Sequence, residues 1–114
     1  MADAILFIGW NRPNPGQEEK GMNYVTGEGL QFLKKLEGNY FERLEMIGLT
    51  AHGGDLNFAI ILHGNRAKLD ELRRTDEFEA FAFQLMTMFD RVGVVPGLSW
   101  EGIQKVMARR RAQR

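Results

Sequence analysis

Residues 4–8 read Ala-Ile-Leu-Phe-Ile, apolar at every position. The run is too short for a helix to be the better reading and has no helical spacing. Asn11-Arg12-Pro13-Asn14-Pro15-Gly16 closes it with turn formers, so residues 3–10 are expected to form a buried central strand. Successive strand side chains point to opposite faces. A strand apolar on both faces therefore requires a cover on each side of its sheet.

The remaining segments supply one cover. From Gln17 to Glu37 the period becomes 3.6, with Met22, Val25, Gly29, Leu33 and Leu36 on one stripe. Glu18 and Glu19 open the segment, Lys34 and Lys35 sit near its end, and Gly38 stops it, so one helix is expected. Gly29 on the stripe suggests a close approach to the sheet, whereas Gly21 and Gly27 have no place in the pattern.

Tyr40–Thr50 and Leu56–His63 read as strands joined at Ala51-His52-Gly53-Gly54-Asp55, a hairpin. Alternation sends Leu56, Phe58, Ile60 and Leu62 toward the helices. Asn57, Ala59, Ile61 and His63 then take the second face, with Phe41, Arg43, Glu45 and Ile47 opposite them. Asn65 is expected to cap a short helix with Leu69 and Leu72, and Thr75 to begin another. In that helix Phe78, Phe81, Ala82, Leu85, Met86 and Phe89 hold the strongest periodicity of the chain. Asp90–Gly97 reads as a fourth strand. Ser99 caps a C-terminal helix with Ile103, Val106 and Met107.

The order is β-α-β-β-α-β-α. Right-handed crossovers turn it into an antiparallel four-stranded sheet with both main helices on one face, a ferredoxin-like α+β sandwich. The second face stays bare, and a second copy of the sheet is the simplest cover. At 114 residues one domain over 1–114 is expected, with 105–114 as a basic tail. Residues 101–114 carry five basic groups against Glu101, and residues 1–100 carry ten basic and fourteen acidic groups.

Element order, the two-sided apolar strand and the Leu69-x-x-Leu72…Glu77-Phe78 stretch before a greasy helix resemble the dimeric α+β barrel superfamily. Gly9-Trp10 at the first strand's end and His52-Gly53-Gly54-Asp55 in the hairpin resemble small uncharacterised bacterial members. The superfamily includes cofactor-free antibiotic-biosynthesis monooxygenases, stress-responsive barrel proteins, muconolactone isomerases and relatives of haem chlorite dismutases. The resemblance spans about residues 3–98 and implies a homodimer. No catalytic motif of a characterised subfamily matches, so no functional residue is carried over.

Several chemistries drop out. The absence of cysteine removes disulfides, thiolate metal sites and cysteine nucleophiles. Two histidines are too few for a histidine metal site, and His52 with Asp55 is explained by turn chemistry. Ser99 is the only serine, and Gly97-Leu98-Ser99-Trp100-Glu101 fails a nucleophile elbow at its last position. Gly27-Glu28-Gly29 lies inside a helical pattern, so no phosphate loop is present. Leu6-Phe7-Ile8-Gly9 resembles one motif of RNA-recognition domains, but its basic-aromatic partner is missing, so nucleic acid is not an expected partner. The N-terminal run lacks a basic start and is short, which reads as neither signal peptide nor membrane span; the expected location is the cytoplasm.

The space under the second sheet face is the candidate site. Trp10, Arg43, Asn57 and His63 are its expected lining, for a small, largely apolar organic molecule, with no cofactor. His63 or Glu45 would accept a proton if chemistry occurs. The alternative is a non-catalytic dimer whose interface is filled.

Overall fold

In the computed structural model, which describes residues 2–50 and 52–113, the doubly apolar segment forms β1 (Ala4–Trp10). Then come α1 (Glu18–Thr26), α2 (Glu28–Leu36), β2 (Arg43–Gly48) and β3 (Phe58–Gly64). After them follow α3 (Arg66–Arg73), α4 (Asp76–Met88), β4 (Gly93–Leu98) and α5 (Trp100–Ala112). Met1 of the N-terminal run, Ala51 of the hairpin turn and Arg114 of the basic tail lie outside the described residues.

The sheet order is β2-β3-β1-β4, with β1 antiparallel to both β3 and β4 and β2 antiparallel to β3. This is the ferredoxin-like sandwich. On one face Ala4, Leu6, Ile8 and Trp10 are fully buried, as are Ile60 and Leu62. They join Val25, Leu33, Leu69, Leu72, Phe78, Phe81 and Leu85 of the helices in one core. Each fully buried leucine or isoleucine there contributes about 1.5–3 kcal/mol relative to an exposed one.

The caps follow the sequence. Asn65 Oδ1 accepts from the Lys68 amide at 3.2 Å, Thr75 Oγ1 from Phe78 at 3.2 Å, and Ser99 Oγ from Gly102 at 3.2 Å.

Four expectations change. The helix expected over Gln17–Glu37 breaks at Gly27, whose backbone leaves the helical region and where a Cβ would lie 2.7 Å from the Asn23 carbonyl oxygen. Gly21 faces the Phe89 ring, and Gly29 faces the Tyr24 ring rather than the sheet. Phe41 precedes β2 and is buried in the core instead of standing on the second face. In α4, Met86 points outward, and Met88 takes the core position.

Leu62 is fully buried on the central pair of strands. Leu62→Ala is expected to lower unfolding free energy by about 2–5 kcal/mol, measured by denaturant titration of the purified protein. A loss under about 1 kcal/mol would contradict its place in the core.

Candidate functional site

Register decides what the second face carries. Arg43 pairs with His63, His63 with Ile5, and Ile5 with Gly97, so these four form one row across the sheet. The next row is Glu45, Ile61, Phe7 and Val95, and the third is Ile47, Ala59, Gly9 and Gly93. Paired residues share a face. The result is an apolar surface with one polar corner, on the side away from the helices.

Glycines in this face let neighbours lie flat. A Cβ on Gly9 would stand 2.6 Å from the Phe7 ring and 2.8 Å from Leu56 Cδ1, so Phe7 lies across that position. Ile5 lies similarly against Gly97, where a Cβ would be 3.2 Å from its Cγ1. Leu56 thus packs on the second face and not toward the helices, because it precedes β3 and escapes its alternation.

The polar corner is a connected group. His63 Nε2 lies 3.1 Å from Glu45 Oε1, and His63 Nδ1 lies 3.5 Å from Arg43 Nη2. Arg43 Nη1 is 3.9 Å from the same Glu45 oxygen. A guanidinium only donates, so Nδ1 is the acceptor and Nε2 carries the hydrogen donated to Glu45. The His63 side chain is 14% exposed, while Arg43 and Glu45 are open to solvent. In the single chain the ion pair is worth at most about 1 kcal/mol. Covering the face would strengthen it by removing water.

Of the expected lining, Arg43 and His63 come together, beside the candidate acceptor Glu45, and Trp10 and Asn57 do not. Trp10 is 1% exposed, packed between Phe58 and Phe89 with ring centroids 6.0 and 5.3 Å away. Its place on β1 has the parity of Leu6 and Ile8, so it belongs to the core face. Asn57 stands before β3 and donates to Asn11 Oδ1 and, at 3.4 Å, to the Gly54 carbonyl. It closes the hairpin mouth and is remote from His63 along the strand.

That mouth holds a second polar group that the sequence did not reveal. Arg91 Nη1 donates to Asp55 Oδ2 at 2.8 Å, and Asn11 Nδ2 donates to Asp90 Oδ2 at 3.5 Å. Arg91 has φ +53°, a left-handed conformation uncommon for a non-glycine residue. His52 is a loop clasp: Nδ1 accepts from the Gly54 amide at 3.1 Å and Nε2 donates to the Leu56 carbonyl at 2.8 Å. Both ring nitrogens are engaged. Among the described residues no cluster of three or more metal-binding side chains forms, and no helix is long and apolar enough to cross a membrane.

Grooves also run along the helix layer. One of about 570 Å³ lies between α1 and α4, with Lys20, Tyr24, Glu28 and Gln84 in its walls. Burial, with a lesser push from Glu28, raises the Tyr24 hydroxyl above the ordinary tyrosine range. Glu45 and His63 take no part in this groove.

No family model matches the chain, and no curated protein does. Solved structures do. A protein of the ethyl tert-butyl ether (EthD) family from Bacillus halodurans is 12% identical with TM-score 0.65, over 83% of this chain and 96% of that one. A dimeric protein of unknown function and ferredoxin-like fold from Bacteroides fragilis is 12% identical with TM-score 0.59, over 84% and 96%. The likeness is one of architecture, a ferredoxin-like α+β fold, and carries no residue roles.

The hydrogen-bond pattern assigns the neutral rings of His52 and His63 to the Nε2–H tautomer. Nitrogen-15 spectra of the imidazoles are expected to show a protonated Nε2 and an acceptor Nδ1 for both. An Nδ1–H pattern at His63 would contradict the Glu45–His63–Arg43 arrangement.

Proposed function

We propose that the chain works as a homodimer paired through the second sheet face. Between the sheets it binds a small, largely apolar organic molecule at the corner made by Arg43, Glu45 and His63. One observation carries the reading: a half-buried histidine with both ring nitrogens held by oppositely charged partners, at the border of an apolar surface. Such a surface with a few convergent polar groups is the usual composition of a small-molecule site. The dimeric Bacteroides neighbour supports the pairing.

Within that site Ile5, Phe7, Ile61 and Val95 would contact the apolar body of the ligand. Arg43 would meet an acceptor group on it, and Glu45 would keep His63 in one orientation. His63 presents a basic nitrogen only where Arg43 turns away from Nδ1 toward a ligand. Binding would thereby expose the one group suited to accept a proton.

A second reading has its own support. Phe7 lies across Gly9 and Ile5 against Gly97, which flattens the face and favours a filled interface. The dimer would then have an associating role only.

Thermal denaturation against a panel of small phenols and aromatic carboxylates separates the two. Binding is expected to raise the melting temperature by several degrees, since ligand at 100 times Kd adds about 2.7 kcal/mol. His63→Ala is expected to abolish the shift while the assembly keeps its mass. A flat response of the wild-type dimer across the panel would overturn the site and leave the filled interface.

A further inference from the structure

Helix α5 is joined to the body along one narrow side. Gly102 is its one buried residue, and a Cβ there would collide with the Asp3 carbonyl oxygen. One turn on, Lys105 Nζ meets Asp3 Oδ2 at 3.3 Å. That hydrogen bond holds the Asp3 carboxyl below the ordinary aspartate range. These contacts fix the helix direction, and the molecule is accordingly long, 55 Å against 33 and 18 Å.

Another side of α5 is apolar and unpartnered. Trp100, Ile103, Met107 and Arg110 follow the spacing i, i+3, i+7, i+10, one stripe of a helix. Trp100 is 67% exposed, and Ile103 and Met107 are exposed as well. A 13-residue helix is marginal in water without a packed face.

The same spacing recurs on the outer side of α4, also 13 residues long, at Asp76, Glu79, Phe83 and Met86. Phe83 is 70% exposed and Met86 51%. The core side of that helix is already occupied by Phe78, Phe81 and Leu85, so these two residues are extra to the core.

We infer that α5 of one copy packs antiparallel on the outer stripe of α4 of a second copy. Antiparallel alignment lays Trp100 and Ile103 on Met86 and Phe83, and brings Arg110 beside Glu79 and Asp76. Parallel alignment would set Trp100 on Asp76, Ile103 on Glu79 and Arg110 on Met86, keeping only Met107 against Phe83 and losing the ionic match. Charge complementarity therefore selects the orientation as well as the partner. The acids lie in the first turn of α4 and the arginines in the last turn of α5, where the helix dipoles also favour them. The chain's own α4 is not the occupant, because the Asp3 contacts direct α5 away from the body. This contact uses the helix layer and is separate from pairing through the sheet face.

A chain without cysteine allows a direct test. Full-length Phe83→Cys and Ile103→Cys, carrying different tags, are co-expressed, purified and oxidised with glutathione disulfide. The mixed disulfide is expected to dominate over both same-variant disulfides. Adding Glu79→Arg to the first chain should lower the mixed product several-fold, and adding Arg110→Glu to the second should restore it. The link should persist when both chains also carry Phe7→Asp, which charges the sheet face. A mixed product no greater than the same-variant products would overturn the proposal. So would an intrachain disulfide in a Phe83→Cys/Ile103→Cys double variant, or loss of the link in the Phe7→Asp background, which would assign it to the sheet face.

Discussion

The constraint on which everything else depends is the pairing of β1 with neighbours on both edges while both of its faces are apolar. Leu6 and Ile8 are fully buried under the helices, and Ile5 and Phe7, one residue out of phase, are only half covered. Bare apolar surface in the middle of a sheet is unfavourable in water by roughly 25 cal/mol per Å². The helix layer covers one face, and under the proposed pairing a second copy would cover the other. The candidate site would follow from that requirement, lying in the space such a cover would enclose.

Register then converts packing into chemistry. Since Arg43 pairs with His63 and Glu45 stands two residues on, the three side chains share a face. A slip of one residue in the β2–β3 pairing would send Arg43 and Glu45 to the core face, where an ionised group is strongly disfavoured. The core packing of Ile60 and Leu62 therefore holds the polar corner in place. Core positions and second-face positions alternate residue by residue along β3.

The element order, the sheet topology and the caps at Asn65, Thr75 and Ser99 were legible because each rests on local chemistry. The Arg43, Glu45 and His63 grouping was legible for the same reason, as the period-2 pattern holds inside a paired strand. It failed just outside. Phe41, Leu56 and Asn57 precede their strands, and their side chains follow loop geometry. Trp10, at a strand end, was expected to line the second face, but its parity with Leu6 and Ile8 sends it into the core. The left-handed Arg91 and its bond to Asp55 join segments 36 residues apart, which no local pattern reports. In α4 and α5 the periodicity was real, yet periodicity cannot say whether a stripe faces its own core or another molecule. Met86, Ile103 and Met107, all on such stripes, are exposed in the single chain.

The most direct measurement is the mass in solution of the wild-type chain and of Phe7→Asp, by sedimentation equilibrium. Phe7 sits at the centre of the second face, between Ile61 and Val95. The wild type is expected to assemble from at least two 13.0 kDa chains, and a folded Phe7→Asp to lose the sheet-face pairing, seen as a lower mass. A wild-type monomer, or a variant of unchanged mass, would contradict it.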